Sequence, residues 1–223
     1  RYNNWMTRNL VLAGNFNMTN VDELFKRLVD FGQYPVETSD TVTILEKIGH
    51  FLDESNEQLY HQFKKEGFTK QQSTEKIAQN LDVKDLLRRS SEHWDGGYAI
   101  AGMFGHGDAF ILRDPNGIRP AFWYQDEEVI VAASERPVIQ TTLNVTYDKV
   151  HEVKPGHALI IKRDGSVDET RIKPEAPRRS CSFERIYFSR GTDKEIYNER
   201  KQLGSVLTKS ILSEIGHDLE NTV

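Results

Sequence analysis

The sequence predicts an α+β fold in which an antiparallel sheet is flanked by helices. In residues 20–93, apolar side chains recur at the spacing of a helix face. Residues 94–172 consist instead of short apolar runs separated by turns that contain Gly, Pro, Asn or Asp. Because a parallel crossover needs roughly a dozen residues or more, strands this close together are predicted to be joined as antiparallel hairpins.

The composition excludes several classes of protein. The 223 residues carry 29 Lys and Arg against 34 Asp and Glu, a net charge of −5, so no nucleic-acid partner is expected. No apolar run approaches the roughly 20 residues of a membrane span, so no membrane partner is expected either. Cys181 is the one cysteine, which rules out an internal disulfide and fits a cytoplasmic location.

The first elements follow from the residues at their ends. An apolar run at 10–13 stops at Gly14-Asn15, which predicts a buried strand that enters a turn. Asn20 is placed to cap a helix whose apolar residues begin one position later. Ser39-Asp40 is placed to cap a second helix.

Residues 54–93 are predicted to form a polar helical insertion. The stretch contains Lys64-Lys65-Glu66 and Lys70-Gln71-Gln72, and such charge runs are typical of a solvated helix face. A partner-binding surface is the alternative.

Five strands are predicted next, followed by a connector. The strands occupy residues 98–104, 109–112, 120–124, 129–133 and 157–161. A connector at 174–180 leads to a strand-like run at 186–188 and to a helix at about 197–214.

Asn15 is the first candidate for chemistry. A small amide at the end of a strand donates two hydrogen bonds, and it stabilises an oxyanion if it points into a dry cleft. The alternative is that Asn15 only bonds its own turn. The pattern alone leaves both open.

The segment from Arg113 to Pro120 is the second candidate. Its centre, Asp114-Pro115-Asn116-Gly117, suits a turn, and arginines flank it at 113 and 119. A guanidinium here can pair with Asp114 or Glu135 as a buried brace, or it can bind an anion; the spacing does not decide. No His-x-x-x-His or Cys-x-x-Cys spacing occurs, so no metal site is predicted.

Several motifs resemble those of the class II glutamine amidotransferases. One segment, Cys181 to Arg190, resembles a stretch of the amidophosphoribosyltransferases that leads from their glutaminase domain into their phosphoribosyltransferase domain. The remaining matches occur in the family's order, at Leu12 to Asn20, Ser39-Asp40-Thr41, Arg113 to Pro120, Ala133-Ser134-Glu135 and Val153 to Gly156.

This resemblance implies the N-terminal-nucleophile hydrolase fold, a four-layer αββα sandwich with antiparallel sheets, here incomplete at the N-terminus. It implies a glutaminase domain at 1–175. Residues 176–223 are then a connector and the start of a phosphoribosyltransferase domain. The full-length protein is expected to form a homo-oligomer.

The implied chemistry begins with an N-terminal cysteine thiolate that attacks the side-chain amide of glutamine. The released ammonia then displaces pyrophosphate from phosphoribosyl pyrophosphate, a step of purine biosynthesis. No cofactor is expected in residues 1–223, and Mg²⁺ is expected only for the missing domain. Some relatives bind a [4Fe–4S] cluster through the cysteine that matches Cys181, but a cluster needs four thiolates, so none is expected here.

The resemblance also implies roles for single residues. Asn15 matches the oxyanion-hole amide, and Asp40 matches the carboxylate that holds the α-amino group of glutamine. Phe16 stands where the family has a glycine whose N–H is the second oxyanion donor. Phenylalanine resists positive φ, and its ring is expected at the cleft. The expected structural frame below the site consists of Arg113, Asp114, Gly117, Arg119, Ser134 and Glu135.

Two departures from the family pattern define the alternatives. Residue 1 is Arg, so this chain is expected to be a truncated fragment that does not hydrolyse glutamine. Phe16 favours a second hypothesis, a non-catalytic regulatory or binding paralogue with a degraded oxyanion hole. A third, another class II enzyme that aminates a sugar phosphate or aspartate, is disfavoured by the segment 181–190.

Overall fold

The computed structural model describes residues 5–222 and contains six α-helices and eight strands within that range. The helices are α1 (Val21–Asp30), α2 (Asp40–Lys65), α3 (Lys70–Asn80), α4 (Val83–Ser91), α5 (Arg136–Leu143) and α6 (Lys194–Glu214). The strands are β1 (Leu10–Met18), β2 (Gly96–Phe104), β3 (Ala109–Arg113), β4 (Phe122–Gln125), β5 (Ile130–Ala133), β6 (His151–Glu152), β7 (His157–Ile161) and β8 (Val167–Arg171).

The strands form two antiparallel sheets. The larger has the order β1-β2-β3-β7-β8 and the smaller has the order β5-β4-β6. The five strands predicted between residues 94 and 172 are all present, and every pairing is antiparallel. The hairpin prediction is confirmed for β2-β3 and for β4-β5, but the consecutive strands β3 and β4 lie in different sheets and do not pair. The short strands β6 and β8 and helix α5 were not predicted.

Strand β1 continues past the predicted turn. It pairs with β2 in an unbroken register from Leu10 opposite Phe104 to Met18 opposite Gly96, so the turn predicted at Gly14-Asn15 is wrong. The strand persists because β2 supplies backbone partners along its whole length, and long-range pairing outweighs the local turn preference of Gly-Asn.

The layers confirm the predicted αββα order. Helices α1, α2 and α4 cover one face of the larger sheet, and the main apolar core lies between them, with Leu24, Ile48 and Tyr98 fully buried. A smaller cluster around Tyr124 and Ile139 joins the second sheet to α5. The other faces of the two sheets border a cleft, described below.

Residues 54–93 are helical as predicted, but they are more than a solvated insertion. The stretch forms the end of α2 and all of α3 and α4. Phe63 and Ile77 are buried, and Leu86 and Leu87 belong to the main core. The polar tract thus carries a narrow apolar face, which the charge runs at 64–66 and 70–72 obscure in the sequence.

The segment after the connector is also different from its prediction. Residues Glu184–Phe188 form a turn of π-helix, not a strand. The side chains of Ile186, Tyr187 and Phe188 are exposed. The helix predicted at about 197–214 is confirmed as α6, which begins three residues earlier, at Lys194. No helix in the described range is long and apolar enough to cross a membrane.

Lys47 yields a stability prediction, because α2 buries its charged end. The residue is 2% exposed, and its Nζ has no hydrogen-bond partner among the described residues. Burial, reinforced by the positive charge of Arg27, lowers the pKa of Lys47 from 10.5 to about 8. Lys47→Met should therefore raise the free energy of unfolding at pH 7 by about 2 kcal/mol, as measured by urea denaturation.

The sign of the pH dependence provides the check. Since the folded-state pKa lies below the unfolded one, the native chain gains stability as the pH rises from about 8 to 10.5. The advantage of Lys47→Met should shrink over that interval. Lys65→Met, at an exposed position of the same helix, is the control and should change stability little. A variant less stable than the native chain at pH 7 would contradict the prediction.

Candidate functional site

A cleft of about 300 Å³ lies between the two sheets, and Asn15 is on its wall. Alternation along β1 turns Leu10, Leu12 and Phe16 toward the helix layer, so Asn15 faces the other way. Apart from Asn15 and Ser134, the cleft is apolar. Its lining consists of Ala13, Gly14, Ala99, Ile100, Ala101, Ile111, Pro120, Ala121, Ala132, Ala133 and the two polar residues.

The amide of Asn15 contacts a distant residue. Its Nδ2 donates to Oε1 of Glu184, 3.1 Å away, and the Nη1 of Arg119 donates to the same oxygen at 2.8 Å. The alternative in which Asn15 only bonds its own turn is therefore wrong, since no turn exists there and the partner lies 169 positions along the chain. One of the two amide protons of Nδ2 remains available for another acceptor.

Phe16 does not obstruct the cleft. Its ring packs against the main core, and its backbone does not have positive φ, so the expectation of a ring at the cleft is wrong. Residues at odd positions of β1 form the hydrogen-bonded pairs with β2, as shown by the bonds between Thr19 and Asp95 and between Gly105 and Asn9. By alternation, the N–H of Phe16 points away from β2 and is free of that ladder.

Asp114 organises the turn that precedes β4. It is fully buried, and its carboxylate accepts hydrogen bonds from the backbone N–H groups of Asn116, Ile118 and Arg119 at 2.9 to 3.1 Å. Gly117 has φ of +61°, and an added Cβ would lie 3.1 Å from the ring of Pro155. The turn therefore needs both the carboxylate and the glycine.

Arg113 is a buried brace rather than an anion site. Its guanidinium is 1% exposed and donates to Glu152 at 2.8 Å and to the carbonyl oxygens of Val153, Arg119 and Gly117. Neither predicted partner, Asp114 or Glu135, is the one used. Burial alone would raise the pKa of the Glu152 carboxyl, but Arg113 and Arg178 hold that pKa below its usual value.

The connector is hydrogen-bonded to this turn. The backbone N–H groups of Ala176, Arg179 and Cys181 donate to the carbonyl oxygens of Pro115, Asn116 and Ile118, respectively. This ladder carries the chain along the turn and delivers Glu184 to the edge of the cleft. The sequence pattern assigns Glu184 no role, and its one signal there is its place in the family-like segment 181–190.

The remaining predicted residues are divided among three places. Ser134 lies on the wall of the cleft. Glu135 precedes α5, and its carboxylate is 3.3 Å from Nε of Arg190. Asp40 is the first residue of α2 in the helix layer and accepts from the N–H of Thr41; it is not on the wall of the cleft. Residues 5–222 hold no cluster of three His, Cys, Asp or Glu that could bind a metal.

The site thus consists of a strand amide in an apolar cleft between two antiparallel sheets, with helices outside both sheets. This arrangement is the N-terminal-nucleophile hydrolase type of fold. Residues 7–180 match the model of the glutamine amidotransferases class II, and the chain belongs to that family.

The similar proteins are amidophosphoribosyltransferases. The enzyme of Pasteurella multocida is 29% identical to this chain, and the match covers 92% of this chain and 38% of that enzyme. The enzyme of Saccharomyces cerevisiae is 32% identical, and the match covers 61% of this chain and 28% of that enzyme. The solved glutamine phosphoribosylpyrophosphate amidotransferase of B. subtilis, complexed with ADP and GMP, superposes with a TM-score of 0.59 at 28% identity. The superposition covers 81% of this chain and 33% of the B. subtilis chain. The chain spans under two fifths of the length of these relatives.

Proposed function

We propose that this chain is the glutaminase domain of an amidophosphoribosyltransferase, which releases ammonia from glutamine for transfer to phosphoribosyl pyrophosphate. The observation that carries the proposal is Asn15, whose amide lies on the wall of an apolar cleft in a class II amidotransferase fold. The three relatives reported above are amidophosphoribosyltransferases. This favours phosphoribosyl pyrophosphate as the acceptor of the ammonia.

Two donors on β1 would stabilise the oxyanion. Attack of a cysteine thiolate on the glutamine amide forms a tetrahedral intermediate whose oxygen carries negative charge. The free proton on Nδ2 of Asn15 and the N–H of Phe16 are adjacent along the strand and unused by the ladder with β2. The α-amino group of the N-terminal cysteine, which takes the thiol proton as the thiolate forms, would return that proton to the leaving nitrogen, so that ammonia departs and a thioester remains. Water then hydrolyses the thioester to glutamate and restores the thiol. Asn15 is exposed, so a glutamine bound in the cleft would itself cover both donors and keep competing water out.

Asp40 is proposed to bind the α-amino group of glutamine, as its family motif implies. A carboxylate pairs with an ammonium group through a charge-assisted hydrogen bond, which distinguishes glutamine from a simple amide. Since α2 lies on the other face of the larger sheet from the cleft, the glutamine would reach Asp40 around β1, which is the edge strand of that sheet.

The other partners belong to the proposal as a whole. Residues 176–223 would connect to a phosphoribosyltransferase domain, which uses Mg²⁺ with phosphoribosyl pyrophosphate, in a cytoplasmic homo-oligomer. A [4Fe–4S] cluster does not fit residues 1–223, since Cys181 is their only thiol and four are needed. Because no cysteine precedes Cys181, the 223 residues by themselves are not expected to hydrolyse glutamine.

The test is a pair of assays on the full-length protein. Glutamate release from glutamine measures the glutaminase, and pyrophosphate release on adding phosphoribosyl pyrophosphate and Mg²⁺ measures the acceptor reaction. We expect both. Glutamate release without pyrophosphate release would overturn the acceptor while keeping the glutaminase. A rate of glutamate release equal to that of buffer would overturn the proposal in favour of a non-catalytic paralogue. The structure gives that alternative no support from Phe16, whose ring packs against the main core.

A further inference from the structure

Glu184 holds the amide of Asn15 from outside the strand. Its Oε1 accepts from Nδ2 of Asn15 at 3.1 Å and from Nη1 of Arg119 at 2.8 Å, and its side chain is only 12% exposed. A carboxylate is an acceptor at both oxygens. It therefore attracts the NH₂ end of an asparagine amide and repels the carbonyl end.

An oxyanion donor must turn the NH₂ end of its amide, not the carbonyl end, toward the developing negative charge. Asn15 has no other side-chain partner among the described residues that would fix which end of its amide faces the cleft. If the amide flipped, its Oδ1 would face the developing negative charge and would repel it. With one proton of Nδ2 bonded to Glu184, the second proton on the same nitrogen has a fixed direction.

Glu184 itself is held by parts that do not depend on Asn15. The backbone N–H of Arg119 donates to buried Asp114 at 3.1 Å, which fixes the residue that pairs with Glu184. The backbone ladder between the connector and the turn, which ends at Cys181, places the start of the π-helical turn. The carboxylate is therefore positioned before any substrate arrives, as a preorganised site requires.

We propose that Glu184 is a positioning residue that orients the Asn15 amide as an oxyanion donor. The inference rests on the proposed glutaminase function and adds a residue to it. In this role Glu184 acts through its hydrogen bond to Asn15.

The experiment compares three variants of the full-length protein in the glutaminase assay. Glu184→Ala should lower kcat by about 10- to 100-fold and leave KM within about threefold, because a loosened donor weakens transition-state binding more than substrate binding. Glu184→Gln should retain most of the native kcat, since its Oε1 still accepts from Asn15 and Arg119. Glu199→Ala removes another arginine–carboxylate pair of the same region, that with Arg185, and is the control matched to Glu184→Ala. It should leave kcat unchanged.

A second measurement separates this inference from the proposed function. With ¹⁵N-labelled asparagine, the side-chain NH₂ resonances of Asn15, assigned by their loss in Asn15→Ala, should shift in Glu184→Ala and stay near their native positions in Glu184→Gln. Unchanged resonances in Glu184→Ala, or an unchanged kcat in an active protein, would overturn the positioning role. A rise in kcat would also overturn it, since Glu184 would then block the site. A native protein without glutaminase activity would instead refute the proposed function.

Discussion

Replacing Asn15 by alanine is expected to lower the glutaminase kcat of the full-length protein by about 10² to 10³, the loss typical of one oxyanion donor. The reason is local. The cleft around Asn15 is lined mostly by alanine, isoleucine and proline, so no other side chain there except Ser134 can donate a hydrogen bond. KM for glutamine should change little, because the lost contact forms in the transition state.

The same strand provides a matched control. Asn17 lies two residues further along β1, on the same face, and is exposed. Asn17→Ala should leave kcat within about twofold of the native value. Circular dichroism and thermal unfolding would show that both variants fold. Equal kcat values for the two variants would mean that Asn15 has no part in the reaction.

Asn15→Asp makes the test sharper. Aspartate has nearly the shape of asparagine but donates nothing when ionised, and it would face both Glu184 and the developing oxyanion. We expect a loss of kcat at least as large as that in Asn15→Ala. A smaller loss would indicate that the size of the side chain matters more than its donor group.

The parts of the fold that depend on local pattern could be predicted from the sequence. Alternating apolar runs and turn residues located five strands, and the Ser39 cap located the start of α2. The pattern predicts too early an end for strand β1, because Gly14-Asn15 favours a turn when it is considered in isolation. Only the partner strand, whose paired residues lie 78 to 94 positions further along the chain, supplies the hydrogen bonds that keep it extended.

In the site, too, the features that depend on local sequence could be predicted, and those that depend on long-range contacts could not. Asn15 was found by its motif, and its position on the cleft wall agrees with the motif. Its partner Glu184 and the Arg113 partner Glu152 lie 169 and 39 positions away, respectively, and neither spacing repeats a helix or strand period. The sequence predicts Asp114 or Glu135, which lie closer along the chain, as the ion-pair partner of Arg113. The turn instead directs Asp114 to its own backbone.

Arg113→Met is expected to lower the free energy of unfolding by about 3 to 5 kcal/mol, because it removes a buried guanidinium that donates to four acceptors. The substitution keeps most of the side-chain volume. It leaves the Glu152 carboxylate without its Arg113 partner and deprives the carbonyl oxygens of Gly117, Arg119 and Val153 of their shared donor. The bonds to Gly117 and Val153 are buried and the bond to Arg119 is partly buried, so the unmet acceptors add to the loss of the charge pair. Urea denaturation of both proteins measures the difference.

An exposed arginine and the pH dependence complete this test. Arg88→Met breaks the surface pair with Asp85 and should change the free energy of unfolding little. The pKa of Glu152 is lowered in the folded chain, so its contribution is present above its unfolded pKa and is lost as the pH falls through the folded pKa. In Arg113→Met that pKa should rise, and the variant should therefore lose less stability than the native chain on acidification below about pH 4.5. A loss of stability in Arg113→Met no larger than that in Arg88→Met would show that the brace is dispensable. The turn would then be held by Asp114 and Gly117 alone.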